Sequence, residues 1–282
     1  LAITDHGNLH GAIDFYRSAV SKGVKPIIGC EMYVAPGDCH DRSPQAKTPY
    51  HLTVLAKNAQ GYSNLVKLVT AANLEGFYYK PRVDRVLLEQ YHEGLIVLSG
   101  CPSGEVPGLI ASEQMEMAEE AALWYRELFG DSYYFELMRH GGVEHLPTIN
   151  DGLVRLHNDL GIPIVATNDL HYVLKEDSQS QDILVCIHTN TNIQDTKRLR
   201  MTEDSYYLKS AAEMEELYAD IPEAISNTKV IADMCNIELD FDTLHLPQYD
   251  QSGGIIAEEH LGLLCREGLR NRIPNSGREE ER

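Results

Sequence analysis

Short strand-like apolar runs alternate with amphipathic segments along the first part of the chain, and no other feature of the sequence constrains the fold as much. The runs fall at 1–4, 27–34, 52–55, 95–99, 133–137 and 162–166. Between them, 11–22 places Ile13, Tyr16 and Val20 at helical spacing. The segments 63–72, 84–91, 115–129 and 145–160 read the same way, with Gly130 and Gly161 where helix C-caps are expected. Strand-helix-strand repetition predicts an α/β fold of parallel strands wrapped by helices. A barrel and an open doubly wound sheet both satisfy it. No Gly-x-Gly-x-x-Gly follows a strand and no Gly-Lys-Ser/Thr phosphate loop occurs, so a barrel is favoured. Beyond about residue 175 helices dominate, at 176–188, 211–218, 221–235 and 258–272, with a linker-like stretch at 246–254 and a boundary near residue 240. Positions 1–4 already read as part of a buried strand, so more chain is expected before Leu1. The polar end at 275–282 breaks off without a closing element.

The residues that follow the strands carry the chemistry. The first run leads into Asp5, His6 and Gly7, and the second delivers Glu31. The 95–99 run leads to Gly100 and Cys101, and the last to Asn168, Asp169, Leu170 and His171. In α/β barrels the C-terminal ends of the strands face the active site. Histidine, glutamate, cysteine and aspartate are metal-ligand types. Asp169 and His171, two apart, would share a face in an extended segment. His51 opens its run and fits the strand-end rule less well, so spacing alone does not select it. Each residue also has an ordinary reading: Asp5 as a helix cap, Cys101 as a buried thiol, a histidine as a hydrogen-bonded core residue. The agreement of five strand-end residues is what carries weight. A mixed imidazole, carboxylate and thiolate set suits zinc, manganese or iron better than magnesium alone. So many ligands point to more than one ion, an arrangement that clamps both oxygens in phosphodiester hydrolysis.

Charge narrows the function further. With 24 basic and 43 acidic residues the net charge is −19, which argues against a general DNA binder and suits a metal site or a docking surface. Six scattered cysteines form no Cys-x-x-Cys pair, and neither a signal peptide nor an apolar run of about 20 residues is present, so a reducing cytoplasm and no membrane role are expected. Two basic stretches could touch nucleic acid, Lys80 and Arg82 among aromatics and Lys197, Arg198 and Arg200 together. Arg139, just past a strand end, is a further candidate.

At these positions the sequence resembles the PHP domain of bacterial replicative C-family polymerases, the DNA polymerase III alpha subunits. The strings that carry the resemblance are LAITDHGN at 1–8, IGCE at 28–31, HLTVLAKN at 51–58 followed by Gly61 and Tyr62, LEGFYYKPR at 74–82, LSGC at 98–101 and ATNDLHY at 166–172. QDIL at 181–184 and the stretch 239–247 continue it. The resemblance implies a PHP-type distorted (β/α)7-like barrel lacking its first strand, with a helical C-terminal extension and a site for up to three divalent ions. It implies His6, Glu31, His51, Cys101, Asp169 and His171 as the ligands, with His6, Asp169 and His171 the most central to any chemistry and Asp5 and Asn168 supporting them. In the family a His-x-His strand with a nearby aspartate would precede Leu1. Residues 1–240 are then the PHP domain, and 241–282 a linker and the start of the polymerase core. The magnesium-binding polymerase aspartates of the family would lie beyond residue 282.

Three functions compete. The domain could be a metal-dependent 3′–5′ exonuclease that proofreads for the polymerase. It could be a metal-stabilised module that docks a separate proofreading exonuclease subunit and other replicase subunits. Or it could be a free-standing PHP phosphoesterase, which the polymerase-like extension past residue 175 disfavours. In the first two, primer-template DNA is the partner of the intact protein.

Overall fold

The computed structural model describes residues 1–201, 203–244, 246 and 255–273. The chain divides into two compact units, Leu1–Glu238 and Leu239–Arg282. In the first, seven strands form one sheet: β1 (Ala2–Ile3), β2 (Ile27–Val34), β3 (Tyr50–Ala56), β4 (Arg82–Val83), β5 (Leu95–Leu98), β6 (Tyr133–Leu137) and β7 (Ile164–Ala166). The order is β1-β2-β3-β5-β6-β7, with β4 paired to β2 off that path, and the sheet curls into a half barrel. Among the described residues nine helices accompany it: α1 (Ala12–Ser21), α2 (Ala59–Leu74), α3 (Arg85–Tyr91), α4 (Glu105–Ala111), α5 (Met115–Phe129), α6 (Leu146–Leu160), α7 (Ser178–Thr189), α8 (Ala211–Leu217) and α9 (Pro222–Met234). The caps follow from side chains: Asn58 accepts from the Gly61 N–H, Asp84 from the Leu87 N–H, and Gly161 ends α6 in the left-handed conformation. In the second unit, α10 (Ala257–Arg272) is the described helix. The linker expected at 246–254, Leu246 excepted, and the end at 275–282 lie outside the described residues.

The sheet is not all parallel. β3 runs antiparallel to both β2 and β5. The connection at 35–49 holds only a short 3-10 turn (Pro44–Lys47) and no packed helix, so the chain re-enters the sheet at the edge it has just left. The start of β3 therefore shares an edge with the ends of β2 and β5. β1 is also less enclosed than its sequence predicts, with Leu1 51% exposed. Among the described residues only β2 pairs with it, so its other edge has no strand to cover it. The two-residue β4 and the seven-residue α4 are too short to show a period in the sequence.

Strand alternation sorts the side chains onto two faces. Met32, Val34, Leu52, Val54, Val97 and Phe135 pack outward under α2, α4, α5 and α6, in the main core. Ile27, Leu55, Ile96, Leu98, Tyr134 and Val165 point inward, where Ile231 and Cys235, in and just after α9, close that end of the half barrel. Glu31, Tyr33, His51, Thr53 and Glu136 have the same inward parity further along, as the pairs Glu31–Thr53, Tyr33–His51 and Thr53–Leu98 require. The inward face is thus apolar where α9 seals it and polar at the opposite end.

Candidate metal centre

At the polar end, donor atoms of His6, Glu31 and His51 lie within 4.8 Å of one another. His51 Nδ1 is 2.7 Å from Glu31 Oε1, and His6 Nδ1 is 3.5 Å from Glu31 Oε2. Cys101 Sγ is 3.3 Å from His51 Nδ1 and 3.6 Å from Glu31 Oε1. Donors sharing one tetrahedral zinc stand about 3.3–3.7 Å apart, given bond lengths of about 2.0–2.3 Å. Glu31 lies inside β2 rather than at its end, but β1 stops short of it, and the following residue His6 bridges beside it. His51 reaches the group because β3 is reversed. Cys101 reaches it through Gly100, whose φ of +85° is left-handed and where a Cβ would stand 2.5 Å from the His51 carbonyl oxygen.

Asp169 and His171 come near enough for their charges to act on His6, though not by strand alternation. The segment is not extended: Asp169 has φ 45°, a left-handed value that aspartate tolerates better than most residues. That turn puts His171 Nδ1 2.7 Å from the Asp169 carbonyl and 3.8 Å from its carboxylate. The loop at 203–209, which the sequence did not single out, braces the segment from behind. Asn168 donates to the Tyr207 carbonyl at 2.6 Å and accepts from Lys209 Nζ at 2.6 Å, and the His171 N–H donates to the Tyr206 carbonyl at 3.0 Å. Asp5 helps through its backbone, its carbonyl accepting the Glu31 N–H at 3.1 Å, while its carboxylate lies beside Gly11 and caps no helix.

Residues 1–140 match the family model described as the PHP domain. The chain carries a PHP domain. Over 98% of its length it is 44% identical to the DNA polymerase III subunit alpha of Borreliella burgdorferi, of which it covers 24%. It is 45% identical over 96% of its length to the same subunit of Treponema pallidum, covering 24% of it. For Campylobacter jejuni the identity is 39% over 97% of the chain and 25% of the relative. The chain thus spans about a quarter of the length of these relatives.

The electrostatics of the PHP site are those of a cation site. Burial raises the Asp169 carboxyl, and Glu31 adds to that while His171, His6 and His51 oppose it. Burial and then the charge of Glu31 push the Cys101 thiol well up. Burial also pushes Glu31 upward, but the His51 hydrogen bond and the nearby imidazoles outweigh it and hold the carboxyl below its usual range. Burial favours the neutral thiol and acid here, a cation would draw the protons off them, and this donor set suits a divalent ion with nitrogen, oxygen and sulfur ligands. Glu136, which the sequence did not flag, lies deeper on the same face. It accepts from Thr53 Oγ1 at 2.9 Å and Thr167 Oγ1 at 2.8 Å, and burial raises it to about 7.

The expected nucleic-acid contacts fare unevenly. Arg82 is wholly buried, and its guanidinium donates to the carbonyls of Gly76, Ala46, Cys39 and Asp41, so it ties loops together and cannot meet a ligand. Arg139 makes a two-pronged bond to Asp220 and lies over Tyr218. Arg198 does the same with Asp182, its side chain only 3% exposed. A carboxylate beside each neutralises the charge a phosphate would use. Lys197 and Arg200 are exposed, and Lys80 is half-buried beside the metal-ligand set. A second group of ligand types, Asp38, Cys39, His40 and Asp84, is accounted for by local bonds: Asp84 caps α3 and accepts the Cys39 N–H, and Asp38 accepts the His40 N–H.

Proposed function

We propose that residues 1–240 are the proofreading 3′–5′ exonuclease domain of a bacterial replicative DNA polymerase, and that 241–282 link it to the start of the polymerase core. What supports this is the grouping of His6, Glu31 and His51 at one end of the half barrel's inward face, with Cys101 against it and Asp169 and His171 close enough for their charges to act on His6. These six would hold divalent zinc, manganese or iron. Bound there, the ions would supply Lewis-acid polarisation of a phosphodiester and a lowered water pKa. The chain's own residues fix the donors: His51 and Cys101 through the Gly100 turn, Asp169 through its left-handed backbone, and His171 through the 203–209 brace. The whole protein would act on primer-template DNA in the cytoplasm alongside other replicase subunits, with magnesium at a polymerase site outside these residues. Among the described residues no helix is long and apolar enough to cross a membrane.

The test uses full-length protein with its polymerase activity abolished, manganese, and a primer with a mismatched 3′ end. Degradation is expected, and Asp169→Asn should slow it by about 100-fold or more. Equal degradation by the parent and the Asp169 variant would sink the proposal.

One observation favours docking of a separate exonuclease subunit as a second role. On α7, Ile183, Leu184 and Ile187 are 50%, 58% and 71% exposed and share one side at helical spacing. If docking were the domain's sole role, chelation would lower the melting temperature with no nuclease activity to lose.

A further inference from the structure

A groove of about 940 Å³ opens beside His51. That is within the range of about 300–1,000 Å³ typical of ligand pockets. Among the described residues no acidic side chain lines this groove, whose fixed charges are Lys47 and Lys80. Each lysine faces a ring and not a carboxylate. Lys47 Nζ is 4.4 Å from the centre of the Tyr79 ring, and Lys80 Nζ is 5.3 Å from that of Tyr33. In a molecule of net charge −19, a carboxylate-free groove with two lysines is where an anion can enter.

The wall of this groove is held under strain. Tyr79 has φ 60°, a left-handed value that is rare and costly for an aromatic residue. It sits in a tight turn closed by the Tyr78 N–H donating to the Lys80 carbonyl at 3.0 Å, and it remains 62% exposed. The next residue, Pro81, packs on Gly7, where a Cβ would stand 2.6 Å from the proline ring. The turn is therefore pinned to the residue that follows His6. Tyr33 stacks on His6 with ring centres 5.8 Å apart and meets His51 edge-on at 5.1 Å. Rings and cations thus run without a break from the open groove to the metal-ligand set.

We propose that this groove holds the 3′-terminal nucleotides of a single DNA strand against the metal centre. Lys47 and Lys80 take backbone phosphates, and the exposed Tyr79 ring stacks on a base. A stacked ring needs an unpaired base, which selects a frayed or mismatched end over an intact duplex. The strand's polarity and chemistry rest on the exonuclease reading above; the groove itself rests on its charge, rings and strain.

The experiment irradiates full-length protein, in calcium buffer, with an oligodeoxynucleotide ending in 3′ 5-iododeoxyuridine, and sequences the cross-linked peptide. Manganese-dependent degradation of the same strand is measured in parallel. The cross-link is expected at Tyr79 or Tyr33 and should be lost in Lys80→Ala. Tyr79→Ala and Lys80→Ala should each raise the KM for the single strand about tenfold, while Tyr79→Phe keeps the parent value. Cross-links outside the groove, or KM values unchanged in both alanine variants, would overturn the proposal. A groove cross-link without any degradation would support the groove and sink the exonuclease reading. Degradation with no groove cross-link would do the reverse.

Discussion

Glu136 lies enclosed between Thr53 and Thr167, and burial raises its carboxyl from 4.5 to about 7. The folded state then holds the proton more tightly than the unfolded chain. Deprotonation costs nothing below the unfolded value, a growing amount between 4.5 and about 7, and its full amount above that. The full cost is at most about 3 kcal/mol. Glu136→Gln should therefore flatten the fall in stability between those pH values, measured by urea unfolding of metal-free protein; a parallel pH profile in both proteins would count against the assignment. Arg82 gives a prediction of the opposite kind. With four carbonyls on one buried guanidinium, Arg82→Met should cost about 3–5 kcal/mol, and Arg82→Lys should rescue little, because an ammonium lacks the planar fork. A chevron or melt within about 0.5 kcal/mol of the parent would contradict this. Residue type together with strand-end position singled out His6, Glu31, Cys101, Asp169 and His171 as candidates. It could not pick out Glu136, whose partners lie 83 and 31 positions away, nor separate the buried Arg82 from the half-buried Lys80 two residues earlier.

At the level of elements, the alternation of runs and amphipathic segments was legible because burial imposes a period on each. The direction of β3 was not, since it depends on the helix-free connection at 35–49 and leaves no mark within β3 itself. That reversal is why His51 looked misplaced in the sequence and yet stands 2.7 Å from Glu31. The β5-to-α4 turn is the most sensitive joint of the site. Gly100→Ala must strain a backbone at φ +85° and push against the His51 carbonyl, moving Cys101 and β3 apart. Metal affinity, read by chelator competition, should fall by about 10–100-fold. An unchanged affinity would mean that Cys101 and His51 do not act together.

For the whole molecule, a net charge of −19 and the inward group of Glu31, His6 and His51, with Cys101 against it, would make bound cations a stabilising load. At a free ion concentration about 1,000 times Kd, binding contributes about 4 kcal/mol. Chelation should then lower the melting temperature of the PHP unit by about 10 °C. An unchanged melt after verified metal removal would argue that the cluster is held by its own hydrogen bonds. The polymerase affiliation was legible because long strings such as LEGFYYKPR at 74–82 are far more specific than single ligands. Whether His6, Glu31, His51, Cys101, Asp169 and His171 hold metal as one centre is read from cobalt substitution of the full-length protein. A thiolate-to-cobalt charge-transfer band is expected, abolished by Cys101→Ser and weakened together with the bound cobalt by Asp169→Asn. A protein that takes up no cobalt, or a band that survives Cys101→Ser, would contradict it.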